Sequence, residues 1–220
     1  MEERIQETFL NMIRMNPIEY QMKYRVQFAC DVNLLEPIYF DDDLKKASDV
    51  QLSYVTDSDC PFAHETCYKY CHIYESCSME SRVKFYCKDC YIISENIMKG
   101  PKMPIESLHL FLQKEGHCQN IFDVNHNVMA VTFHEHPNIY IQTFAHKSPF
   151  FHNTPFVGDG CLVDSTYYII YVGFSTVYLR TNTDVYEMDV LFENTYTITL
   201  AESNEMFYFT DGVYETKMFR

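Results

Sequence analysis

The sequence predicts an α+β domain followed by a small all-β domain, and three observations carry that reading. Apolar residues recur at helical spacing in three segments before residue 146 and not after it. Two strand-like runs close the first part. The remainder is a series of short aromatic and β-branched runs in a chain with 18 Tyr, 17 Phe and no Trp. Rings at that density suit the pleated surface of a sheet.

The first helix is predicted from Ile5, Phe9, Met12 and Ile13, and Asn16-Pro17 is expected to stop its winding. A second is expected to begin at Asp41-Asp42-Asp43, where carboxylates can cap free amides at the positive end of the dipole. Its buried stripe would be Leu44, Ala47, Val50 and Tyr54. A third follows Pro104, with Ile105, Leu108, Phe111 and Leu112 inward and Gly116 as its stop. Strands are expected near 128–133 and 139–145, so the helices would pack on a small antiparallel sheet.

Beyond residue 146, Pro149, Pro155 and Gly158 to Gly160 punctuate an expected linker over 147–164. Six strand-like runs follow at 167–172, 176–180, 185–192, 196–200, 206–210 and 213–219, with Asp211-Gly212 as a hairpin signal between the last two. Strand centres roughly ten residues apart predict a small Ig-like β-sandwich over 165–220.

Net charge is −14, both parts of the chain are acidic, and no Lys/Arg cluster stands out. Nucleic acid is therefore an unfavourable partner, and so is an anionic membrane surface. A cation or a cationic partner fits better. No stretch approaches the ~20 consecutive apolar residues of a bilayer span. Met1-Glu2-Glu3-Arg4 runs straight into an amphipathic pattern and does not read as a signal peptide. The expectation is an extracellular or cell-envelope protein if a leader was removed, and otherwise an intracellular or particle-associated one.

Six segments, in order, resemble the CAP superfamily of cysteine-rich secretory, antigen 5 and pathogenesis-related 1 proteins, and its bacterial SCP branch most. They are "FLNMIRMNPIEY", "EPIYFDDDLKKASDVQLSYV", "FAH" at Phe62-Ala63-His64, "SENIMKG" from Ser94, "FLQKEGHCQNIFD" and "IYIQTFA". The resemblance covers residues 1–146 and implies a three-layer α-β-α sandwich. It also implies a central cavity lined by two His and two acidic residues, the His pair able to bind a divalent metal. By position the His pair is His64 and His117, and the first acidic residue is Glu95. Two neutral imidazoles leave room for water on zinc, and a carboxylate can hold one ring in the right tautomer. The second acidic position falls on Lys114, which would repel a dication, and Glu115 beside it belongs to the Gly-His turn. Asn96 is expected to cap backbone groups in its own turn. The bland reading of these residues is a Glu–His pair that satisfies buried hydrogen bonds and ties loops together.

Six of the nine cysteines (Cys60, Cys67, Cys71, Cys77, Cys87 and Cys90) crowd into an insertion over 60–90. Cys67-x3-Cys71 followed by Cys87-x2-Cys90 has the spacing of a four-thiolate zinc site, and His72 could replace one ligand. The same residues could form disulfides that staple a loop with little to bury. Either chemistry requires Cys67, Cys71, Cys87 and Cys90 to converge, and an odd total leaves at least one thiol free.

The favoured functional expectation is a non-enzymatic binding or interaction module for a lipid, protein or envelope component, the appended sandwich giving attachment or a second surface. The rivals are a metal-dependent hydrolase using His64, His117 and Glu95, and a structural component of a coat or particle. No phosphate loop or nucleophile elbow is present.

Overall fold

A computed structural model describes residues 1–200 and 206–217. Six helices and eleven strands are found among them. Helix α1 (Glu2–Met15) is followed at once by α2 (Pro17–Tyr24). The winding of α1 stops at Asn16, as the Asn-Pro step predicts, but a second helix that the spacing does not predict begins at once. Pro17 takes the first position of this new helix, where a missing N–H costs nothing and the fixed φ is already helical. Helix α3 (Asp42–Thr56) begins where the aspartates predict it. The Asp41 side chain accepts from the amides of Asp43 (3.0 Å) and Leu44 (2.9 Å). Helix α4 (Met79–Tyr86) lies inside the cysteine-rich insertion, capped by Ser78. The third expected helix is two: α5 (Pro104–Leu112) and α6 (Glu115–Ile121). Gly116 lies in the first turn of α6 instead of stopping α5, because Gln113 and Lys114 already break the winding.

Strands β1 (Tyr39–Phe40), β2 (Cys90–Lys99), β3 (Val128–Glu135) and β4 (Asn138–Lys147) form one sheet in the order β1-β3-β4-β2. Its two faces are covered by different helices. Leu44 and Ala47 of α3 and Val83 of α4 pack on Val128, Ala130 and Ala145. On the other face, Phe9 and Met12 of α1 and Phe111 of α5 pack on Met98, Met129, Tyr140 and Phe144. Period-two alternation along β2 sends Glu95 to the α3–α4 face and Asn96 to the α1–α6 face. The α-β-α sandwich implied by the resemblance is the observed architecture.

The second part is a β-sandwich. Strands β5 (Phe156–Val163), β6 (Thr166–Tyr171), β9 (Asp189–Phe192) and β10 (Thr195–Thr199) form a sheet in the order β5-β6-β10-β9. It faces a three-stranded sheet of β11 (Phe207–Thr210), β7 (Tyr178–Thr181) and β8 (Val185–Glu187), in the order β11-β7-β8. Phe156, Ile169, Leu179, Phe207 and Phe209 fill the space between them. The run 185–192 is two strands in opposite sheets, with buried Met188 at the crossing and its amide bonded to the Val177 carbonyl (3.0 Å). After Asp211-Gly212 the chain makes a turn closed by the Asp211 carboxylate and a lone bridge from Thr210 to Glu215. The rest of the run expected to 219 lies outside the described residues from 218 on.

The expected linker is where sequence and structure part most. Within 147–164, residues Phe156–Val163 are strand β5. Gly158 and Gly160, read as punctuation, sit at φ +75° and +73° inside a β-bulge between Val157 and Cys161. Gly160 is also required by space, since a Cβ there would lie 2.5 Å from the Tyr168 carbonyl oxygen. The four-stranded sheet is buried on both faces. Its outer face, with Val157, Cys161 and Ile170, joins the same core as Phe9 and Ile13 of α1, and Tyr168 meets Phe9 edge-on at 5.2 Å. The boundary drawn at residue 146 therefore crosses a continuous core.

Candidate functional site

Glu95 reaches the α3–α4 face from the edge strand β2, and its side chain is fully buried. A carboxylate there needs partners for both oxygens. Arg82 of α4, also fully buried, donates to Oε2 at 2.6 Å. His64 donates from Nδ1 to Oε1 at 3.0 Å. Arg82 then clamps the loop that carries His64, donating to the His64 carbonyl (3.0 Å) and the Thr66 hydroxyl (3.3 Å). Gln51 of α3 holds the neighbouring Ala63 carbonyl at 2.6 Å. The imidazole of His64 remains half-exposed, at 46%.

His117 stands on α6, which packs on the Asn96 side of the same edge strand. Asn96 donates to the His117 carbonyl (3.1 Å) and to the Gln142 side chain (3.0 Å), and accepts from Asn120 (2.8 Å). The chain of amides continues inward, Gln142 donating to Gln6 (2.9 Å) and Gln6 to the Pro104 carbonyl (3.1 Å). Asn96 therefore lies on a strand and not in a turn, and it ties β2 to α6 instead of capping its own loop. The His117 ring packs edge-on against Phe111 (5.1 Å), and its Nδ1 is buried without a hydrogen-bond partner. Lys114 and Glu115 are exposed.

The two imidazoles are tuned in opposite directions. The hydrogen bond that His64 donates to Glu95 raises the His64 pKa above the ordinary histidine value. Burial lowers His117, helped by the charges of Lys114 and His64. His64 and His117 thus lie close enough for the charge of one to act on the other. His64, Glu95 and His117 do not, however, bring three ligand atoms within 4.8 Å of one another. Among the described residues only Cys87, Asp89 and Cys90 do.

An NMR titration of the ring protons checks this geometry. The His64 midpoint is expected above 6.5 and the His117 midpoint below it, and Glu95→Gln should move His64 down. The stability contributions follow with opposite sign. The His64–Glu95 contact stabilises the fold below the unfolded value of 6.5 and fades as pH rises through the higher folded value. His117 costs stability as pH falls below 6.5 through its lower folded value. Coincident midpoints would refute the arrangement.

The cysteines of the insertion are paired as Cys60–Cys67, Cys71–Cys77 and Cys87–Cys90, with Cα separations of 5.4, 4.7 and 5.4 Å. Those separations lie in the range a bridge requires. Cys67, Cys71, Cys87 and Cys90 do not form one cluster of four, since each takes a partner close in sequence. The fourth bridge, Cys30–Cys118, joins the segment after α2 to the residue following His117. Cys161 is the free, buried thiol.

Arg82 is the site residue that sequence reasoning misses. It lies in the insertion, outside the segments that carry the family resemblance. The available signal was Glu95 itself, since a carboxylate on a core strand requires a buried cation, and the insertion offers few. Gln6 carries no mark in the sequence, and Gln142 stands in the segment "IYIQTFA" with no site role assigned to it.

No family model and no curated protein matches the chain. Among solved structures, the chain is similar to an extracellular SCP-domain protein from Bacillus anthracis, with TM-score 0.49 and 16% identity over 66% of this chain and 40% of that one. It is similar to an outer surface protein from Borrelia burgdorferi, with TM-score 0.48 and 12% identity over 66% of this chain and 91% of that one. A cysteine-rich secretory protein from Staphylococcus aureus gives TM-score 0.42 and 12% identity over 66% and 39%. The chain thus spans about 40% of the first and third of these proteins.

Proposed function

We propose that this chain is a CAP-type binding module whose cleft, rimmed by His64 and His117, receives a lipid, a protein or an envelope component. The observation that supports this is the commitment of Glu95. Both of its oxygens are engaged, by Arg82 and by His64. It serves to orient a ring and to lock the insertion on the sheet, and its fully buried side chain is closed to the solvent water that a general base would activate. The open polar group is the outward side of the His64 ring. The sandwich, Ig-like in its strand order, supplies the second surface. Four disulfides suit an oxidising compartment, and no helix among the described residues is long and apolar enough to cross a membrane.

A divalent metal is a second reading, favoured by the buried, unpartnered His117 Nδ1 and the lowered His117 pKa, which keeps that ring neutral. His64 and His117 would hold the ion, with Glu95 fixing the His64 ring and Lys114 opposing the charge. Bound zinc would supply Lewis-acid chemistry.

The test titrates a fatty acid and a sterol into the protein while following both imidazoles by NMR. At least one is expected to shift both rings, and His64→Ala should weaken its binding. Casein incubated with the zinc-loaded protein should stay intact. Zinc-dependent cleavage of casein that Glu95→Gln abolishes would overturn the non-enzymatic reading.

A further inference from the structure

A cleft of about 470 Å³ opens where α1, α3, residues 150–154 and strand β5 meet. Aromatic rings form its wall. Tyr39 stacks on His152 at 4.3 Å and meets Phe150 at 5.4 Å. Phe151, also lining the cleft, is 82% exposed, so a large apolar ring is left in water beside packed ones. The charges on the floor are mostly spoken for. Arg4 pairs with Asp159 (3.6 Å), and Lys45 pairs with Glu3 (3.2 Å) and with Asp49. The carboxyl group of Glu7, which lines the same cleft, makes no ion pair or side-chain hydrogen bond with any described residue.

We propose that this cleft binds a small organic cation, an ammonium carried on an apolar body, with Glu7 as counter-ion and Tyr39, Phe150 and Phe151 as the wall. Ring faces attract a cation and repel an anion, and the aromatic wall buries the apolar body. A simple metal ion would leave that wall unused. An anionic ligand would meet Glu3, Glu7 and Asp159 while Arg4 and Lys45 are already neutralised. The site is separate from the His64 cleft and does not depend on the function proposed for it.

The occupant must also displace a proton. Burial, reinforced by Glu3, pushes the Glu7 carboxyl up to about 8, against the opposing pull of Lys45 and Arg4. The groups that face it are Glu3 and Arg4 on α1, Lys45 on α3, and Asp159 and Cys161 on β5. His152 and Lys217 line the same cleft. Because the cation binds the ionised carboxylate, its affinity should rise by up to about tenfold per pH unit below the Glu7 pKa and level off above it.

Isothermal titration of the full chain with benzyltrimethylammonium, at pH values from 6 to 9, is the experiment. Saturable binding is expected, strengthening about fiftyfold between pH 6 and 8. The near-isosteric Glu7→Gln should weaken binding at pH 8 by about tenfold or more and flatten its pH profile. Phe151→Ala, at an exposed position that the fold does not need, should weaken binding and leave the pH profile unchanged. Benzyl alcohol should bind far more weakly. Equal binding of the alcohol, unaltered binding to Glu7→Gln, or no saturable binding of the cation would overturn the proposal.

Discussion

Arg82→Leu is expected to cost about 3–5 kcal/mol of folding stability, the largest effect of any single substitution in the site. Both side chains of the Arg82–Glu95 pair are fully buried, at 2.6 Å. Removing the cation leaves an ionised carboxylate in the core with only the half-exposed His64 for company. It also frees the His64 and Thr66 contacts that Arg82 makes, so the loop should loosen with the pair. The attraction within the pair is not what the experiment isolates, because desolvation offsets much of it. What is lost is compensation for a buried charge. Arg82→Leu combined with Glu95→Leu should therefore recover a large share of the loss, as two apolar side chains leave no orphan charge. Urea denaturation of the two single variants and the double completes the cycle. A single variant costing less than about 1 kcal/mol, or a double no better than Arg82→Leu, would contradict a buried ion pair.

Breaking the Cys30–Cys118 bridge, by Cys30→Ser with Cys118→Ala, should cost far more than breaking Cys71–Cys77. The reason is loop length. The first bridge closes a sequence separation of 88 residues and the second one of 6. On the chain-entropy account these restrict the unfolded chain by roughly 4–5 and about 2 kcal/mol. Location adds to the difference. Cys118 is fully buried in α6 beside His117, and Cys30 anchors the segment 25–38, which has no regular secondary structure. Cys71 and Cys77 lie nearer the surface. Urea midpoints of the two double variants give the comparison, and the His117 ring signal should move only in the Cys30/Cys118 variant. Equal losses, or an undisturbed His117, would refute the view that this bridge holds α6 against the body of the fold.

The legible parts of the fold were those in which a local signal and the tertiary environment agree. Asp41 caps α3 because carboxylates satisfy free amides whatever surrounds them. The alternation of β3 and β4 is readable because each strand is sorted between two apolar layers. Misreadings came where one residue type serves two ends. Pro17 breaks one helix, as its type predicts, and also starts the next, which it does not announce. Gly158 and Gly160 look like a linker and form a bulge within a strand. The break at Met188 carries no mark, since the residues on both sides are good strand formers and only the geometry of two facing sheets requires the chain to change layer.

For the candidate site, the sequence by itself determined its chemistry: two imidazoles and a carboxylate, carried on segments whose order resembles one family, and a cysteine-rich stretch between them. Only the tertiary structure decided how those groups are used. It placed Glu95 and Asn96 on opposite faces of an edge strand, so that one orients His64 and the other holds the His117 backbone. It brought Arg82 out of the insertion to neutralise Glu95, and it seated the second sheet on α1 where a linker was expected. The physical reason is the same in each case. Propensity and spacing act over a few residues, and they leave their mark on nearby sequence. Burial of a charge or of a second sheet face is met by groups from anywhere in the chain, and the partner carries no mark of its role until the two are packed together.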